Sequence, residues 1–105
     1  MQIQINTDHN IEGNERLAAH VKGVVQDALA RFQDRITRVE VHLSDQNGDK
    51  TGPSDKRCMI EARMEGRKPT AVTHDAATVD QAVEGAAEKL HRSIEHTLER
   101  LRDRH

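Results

Sequence analysis

Apolar positions along the chain change period three times, and the changes mark six elements. From Gln2 to Thr7 the pattern alternates, with Ile3 and Ile5 on one side, as in a short strand. After Gly13, Asn14 is placed to cap a helix whose apolar face is Leu17, Val21, Val24, Val25, Ala28 and Phe32, running to about Asp34 and weakened slightly by Gly23. Alternation returns from Ile36 to Ser44, with Val39, Val41 and Leu43 inward and Arg38, Glu40 and His42 outward. Asp45–Asp55, with Gly48, Gly52 and Pro53, predicts a hairpin loop. A third strand follows, in which Cys58, Ile60, Ala62 and Met64 alternate with Arg57, Met59, Glu61 and Arg63. Gly66 to Pro69 turns the chain into a short fourth strand, Thr70–His74, ending near Asp75. Thr78 and Gln81 then have the spacing of a capping box. The helix it opens, to about Arg102, carries a stripe of Val79, Val83, Ala86, Leu90, Ile94, Thr97 and Leu101.

The predicted order is β-α-β-β-β-α, an α+β fold. A helix between the first two strands makes them parallel with a right-handed crossover, and the remaining pairs are antiparallel. Two amphipathic helices cover one face of a four-stranded mixed sheet, leaving the polar residues of the strands on an open second face.

Composition adds constraints to this outline. The chain has 105 residues, 34% hydrophobic and 32% charged, with Phe32 as the one aromatic, so it is expected to be a single domain, 1–105, with an aliphatic core. No apolar run is long enough to span a membrane, and the first residues alternate rather than form a signal-peptide core, so the expected location is cytoplasmic. Cys58 is alone and is expected to be a buried hydrophobe. The net charge of −2 removes the global signature of a nucleic-acid binder, leaving only local patterns.

One local pattern stands out. At about 100° per residue, Lys89, Arg92, His96 and Arg100 fall on one flank of the last helix, while Asp80, Glu84, Glu88, Glu95 and Glu99 fall on the other. Cations along one helical edge can meet phosphates at several points, and a protonated His96 would add to them as pH falls. The competing reading is a solvated flank paired with neighbouring acids, and periodicity alone favours it.

Other constellations fail on their own chemistry. Asp45, Asn47 and Asp49 resemble the start of a calcium loop, but Lys50 stands where the sharp turn needs Gly, and Lys56 where a bidentate Glu belongs. His91 and His96 point about 140° apart on their helix, unsuited to zinc. No nucleophile elbow, phosphate loop or dinucleotide fingerprint appears. The expectation is therefore no catalytic residue, metal, cofactor or small-molecule substrate.

The run Arg35-Ile36-Thr37-Arg38-Val39-Glu40-Val41-His42-Leu43 and the segment Val83-Glu84-Gly85-Ala86-Ala87-Glu88-Lys89-Leu90 with Arg92, in this element order, resemble the hibernation-promoting-factor and ribosome-associated-inhibitor family, once called sigma-54 modulation proteins. The resemblance covers nearly the whole chain. It implies a fold similar in topology to double-stranded-RNA-binding domains, with the small ribosomal subunit and its RNA as partner. The implied activity is steric: occlusion of the decoding channel in stress or stationary phase. Basic family positions on the last helix match Lys89 and Arg92, continued by His96 and Arg100; Arg31 and Arg35 are the cations near the matching region of the first helix, beside Asp27. Where the family has Tyr at the entry to the last helix, this chain has Asp80. The resemblance further implies a short form, without the C-terminal dimerisation domain of long members. An alternative function is a protein-interaction module of the same fold that has lost RNA binding; homodimers through an open sheet edge are also allowed.

Overall fold

The structure, a computed structural model, describes residues 1–46 and 56–102. Its elements are β1 (Gln2–Thr7), α1 (Glu15–Ala28), β2 (Ile36–Asp45), β3 (Lys56–Met64), β4 (Thr70–Ala76) and α2 (Val79–Arg102). The sheet order is β1-β2-β3-β4, with β1 and β2 parallel and the other neighbours antiparallel. Alternation in β2 and β3 puts Val39, Val41, Leu43, Cys58, Ile60, Ala62 and Met64 on the helix-covered face, all buried. The loop expected at Asp45–Asp55, with the calcium-like residues Asn47 and Asp49, lies outside the described residues from position 47 onward.

Local chemistry sets the helix starts. Asn14 accepts a hydrogen bond from the Leu17 amide at 2.8 Å, and Thr78 accepts one from the Gln81 amide at 3.1 Å. Each cap satisfies an amide left open by the first helical turn and contributes about 1 kcal/mol. Gly66, with φ of 76°, takes the left-handed conformation in the turn between β3 and β4.

Two boundaries and one buried face differ from the sequence pattern. The first helix ends at Ala28 rather than near Asp34, and a 3-10 turn, Ala30–Phe32, replaces its last part. That tighter winding carries Phe32 beneath α2, where its ring lies 5.1 Å from His91, and it buries Leu29, which the predicted stripe omitted. The fourth strand continues to Ala76 because its ladder with Arg57 and Lys56 persists beyond His74. The buried face of α2 is also wider than predicted, adding Ala82 and Ala87, since this helix packs on β3 and β4 below and against α1 at its side. Small residues at the two margins permit that double contact.

Candidate nucleic-acid interface

Gly85 fixes how α2 meets the edge of the sheet. A Cβ there would run into the ring of His74, a β4 residue that faces the helix, so only glycine allows the two to approach this closely. One turn further on, the Lys89 Nζ donates to the backbone carbonyl oxygen of Thr73 at 3.0 Å. The ammonium is thereby held against β4 while two of its three protons stay available. Arg92 points outward and is paired with Glu88 at 3.2 Å, both side chains about two-thirds exposed at 66% and 69%. A pair this open contributes about 0.3–0.5 kcal/mol and is readily exchanged for another anion. His96 and Arg100 are exposed on the following turns of the same flank. Arg100 shares a shallow depression with Arg67, from the β3–β4 turn, and with Thr97 and Leu101.

The opposite flank of α2 faces α1 and is acidic. Asp80 pairs with His20 at 2.8 Å, and Glu95 pairs with Arg31 at 2.9 Å and approaches His91 at 3.8 Å. His91 Nδ1 also lies 2.7 Å from the carbonyl oxygen of Ala28, binding the end of α1 to the middle of α2. Between these contacts the interhelix groove is lined by Asp27, Glu84 and Glu88 with Val24, Ala28 and Ala87. Three carboxylates therefore line the groove between the helices, and beyond the end of α1 it is Glu95 and Glu99 that stand beside Arg31 and Arg35.

The sequence-derived set is thus divided. Lys89, His96 and Arg100 share the β4 side of α2, with Arg92 on its crest. Arg31 and Arg35 instead line a depression at the end of α1 with Phe32, Glu95, Glu99 and Arg102. The Arg31 guanidinium stacks 5.5 Å from the Phe32 ring centroid while bonded to Glu95. Sequence reasoning did not assign Arg67 to this surface. The signal lay in topology: α2 runs back along β4, so its C-terminal half ends beside the turn that opens that strand.

Charges on the open sheet face are balanced locally. Arg57 donates to both Asp75 oxygens, at 2.8 and 3.2 Å, while Arg63 pairs with Glu61 and Arg38 with Glu40. The hydrogen bonds from Arg57 hold the Asp75 carboxyl below its usual range, and the same contact raises Arg57. Cys58 is fully buried, and desolvation pushes its thiol up to about 12, so it stays protonated and unreactive in the folded chain. Among the described residues, no group of three or more His, Cys, Asp or Glu side chains is placed to hold a metal ion, and no helix is long and apolar enough to cross a membrane.

A four-stranded sheet layered beneath two helices, with a cationic edge on the second, defines a small α+β domain. The chain matches the family described as Sigma 54 modulation protein / S30EA ribosomal protein over residues 3–102, and it belongs to that family. No curated protein sequence matches it. Among solved structures, the N-terminal domain of Protein Y from Thermus thermophilus superposes with a TM-score of 0.74 at 20% identity, covering 92% of this chain and 99% of that one. A ribosomal subunit interface protein from Coxiella burnetii gives 0.70 at 13% identity, with 92% and 97% covered. At these identities the likeness establishes the fold.

Proposed function

We propose that this protein is a cytoplasmic ribosome-associated factor that binds RNA of the small subunit near the decoding channel and silences idle ribosomes under stress by occupying that space. Family membership supports the ribosome as target, and the Coxiella burnetii protein that shares the fold is a ribosomal subunit interface protein. The observation that carries the RNA contact is the row of Lys89, His96 and Arg100 on the β4 side of α2, extended by Arg67 and crested by Arg92. Arg31 and Arg35 supply a separate, weaker contact at the end of α1, since Glu95 already neutralises Arg31.

Cosedimentation with small subunits across a salt series tests this reading. Four permanent cations on the row correspond to a slope of log K against log salt of about −3 to −4. Reversal of Lys89 and Arg100 to Glu is expected to abolish binding at physiological salt. Absence of binding at low salt, or binding indifferent to the reversal, would overturn the assignment.

The carboxylate-lined groove of Asp27, Glu84 and Glu88 favours a second reading, a module that docks a basic segment of another protein. Recovery of a discrete non-ribosomal protein after nuclease treatment, lost on Glu84→Lys, would select it.

A further inference from the structure

The strand β1 lies at the outer edge of the sheet and is paired on one side alone, by β2. The Asp8 amide donates to the Leu43 carbonyl oxygen at 3.0 Å, which fixes the direction of its neighbours. Because N–H and C=O groups alternate sides along a strand, even-numbered residues of β1 address β2, and those of Ile3, Ile5 and Thr7 point away from the sheet. Among the described residues, no loop or turn bonds to those outward groups.

Natural sheets guard such edges with charge, proline, a bulge or a cover. The other edge has guards: β4 carries Asp75, and the Lys89 ammonium lies on its Thr73 carbonyl. Within β1 itself, Gln2-Ile3-Gln4-Ile5-Asn6-Thr7 has no charge, no proline and no irregularity in its register with β2. Beside it on the helix face runs an open groove lined by Ile5, Thr7, Leu17 and Ala18, with Gly13, Asn14 and Glu15 around the start of α1.

We propose that this edge pairs with the same edge of a second copy of the chain, antiparallel, about a twofold axis at Gln4. The register matches from Gln2 to Asn6. Ile3 stands opposite Ile5 of the other copy on the helix face, while Gln2 meets Asn6 and Gln4 meets Gln4 on the open face, so apolar groups meet apolar groups and amides meet amides. It is also the register in which the outward backbone groups align. Ile3 and Ile5 of the two copies form hydrogen-bonded pairs that exchange both N–H···O bonds, and Gln4 falls at a non-bonded pair with its Cα atoms about 4.5 Å apart. The result is a continuous eight-stranded sheet with all helices on one side, closing the groove beside Ile5. Lys22 occupies the helical phase of Ala18 on the α1 flank toward this edge and would meet its own copy there, so the association holds or tightens as salt rises. RNA binding through α2 has the opposite salt dependence and uses the far edge of the sheet.

The experiment is oxidation of the full chain carrying Gln4→Cys by oxidised glutathione, compared with Thr73→Cys on the same open face. The separation at the axis lies within disulfide reach, and buried Cys58 does not compete. Gln4→Cys is expected to give a covalent dimer at least tenfold faster than Thr73→Cys. Sedimentation equilibrium of the unmodified protein should show mass rising toward the dimer with concentration, and Gln4→Lys, which sets two like charges together at the axis, should restore the monomer. A constant monomer mass up to millimolar concentration, or equal crosslinking of the two cysteine variants, would overturn the pairing, and neither result bears on ribosome binding.

Discussion

The two flanks of α2 carry charges of opposite sign and put them to different uses. On the α1 side, Asp80 is joined to His20 of α1 and Glu95 to Arg31 just beyond its end, so these acids tie α2 to the segment that packs against it. On the β4 side, Lys89 is held by a neutral carbonyl and Arg92 by a loose exposed pair, so their charge remains available to an outside partner. Net charge is a poor guide here: apart from Glu88, which pairs loosely with Arg92, the acids of α2 that cancel the cations in the total face another direction.

The largest effect is expected at Gly85, which sets how close the basic flank sits to β4. Gly85→Leu would force α2 away from His74, and urea unfolding is expected to show a loss of about 1–3 kcal/mol, as for other overpacked contacts. Unchanged stability would mean that the close approach is not required.

A smaller effect is expected on the acidic side. Glu95→Gln removes the pair with Arg31, and thermal or urea unfolding should register a loss of about 0.2–1 kcal/mol, the two side chains being 36% and 69% exposed. Subunit binding should not weaken, because the substitution frees a cation. Loss of binding in this variant would give the α1 flank a direct role.

The smallest effect concerns the open sheet face. Asp75 is held below its ordinary range by Arg57, so its carboxylate stabilises the folded chain above the unfolded-state carboxylate range, and that contribution disappears as pH falls through the lower folded value. Asp75→Asn should therefore flatten the acid limb of the stability profile slightly, measured by thermal melting between pH 7 and pH 2, roughly the carboxylate range. An acid limb identical in both proteins would show that the pair contributes nothing.

The sequence was informative wherever one residue's position settles a local choice. Asn14 and Thr78 marked the helix starts, and strict alternation in Val39-Glu40-Val41-His42-Leu43 marked a half-buried strand, because caps and period depend on near neighbours. The early end of α1 was not legible, since the 3-10 turn answers to Phe32 packing under His91, a contact made 59 positions away in the chain. The same holds for the site. The basic edge of α2 could be drawn from helical phase alone, but which neighbour each flank would face could not. Arg67 joined that edge, and Arg31 and Arg35 were left beside Glu95 and Glu99 at the end of α1, only when strand order and helix packing were fixed.

The most direct test sets one cationic cluster against the other in a single salt series with isolated small subunits. Reversing Lys89 and Arg100 should reduce the magnitude of the log K against log salt slope by about 1.4–1.8, two contacts' worth, whereas reversing Arg31 and Arg35 should reduce it by less than half as much. Equal losses from the two pairs, or a greater loss from Arg31 and Arg35, would contradict the placement of the binding edge on the β4 side of α2.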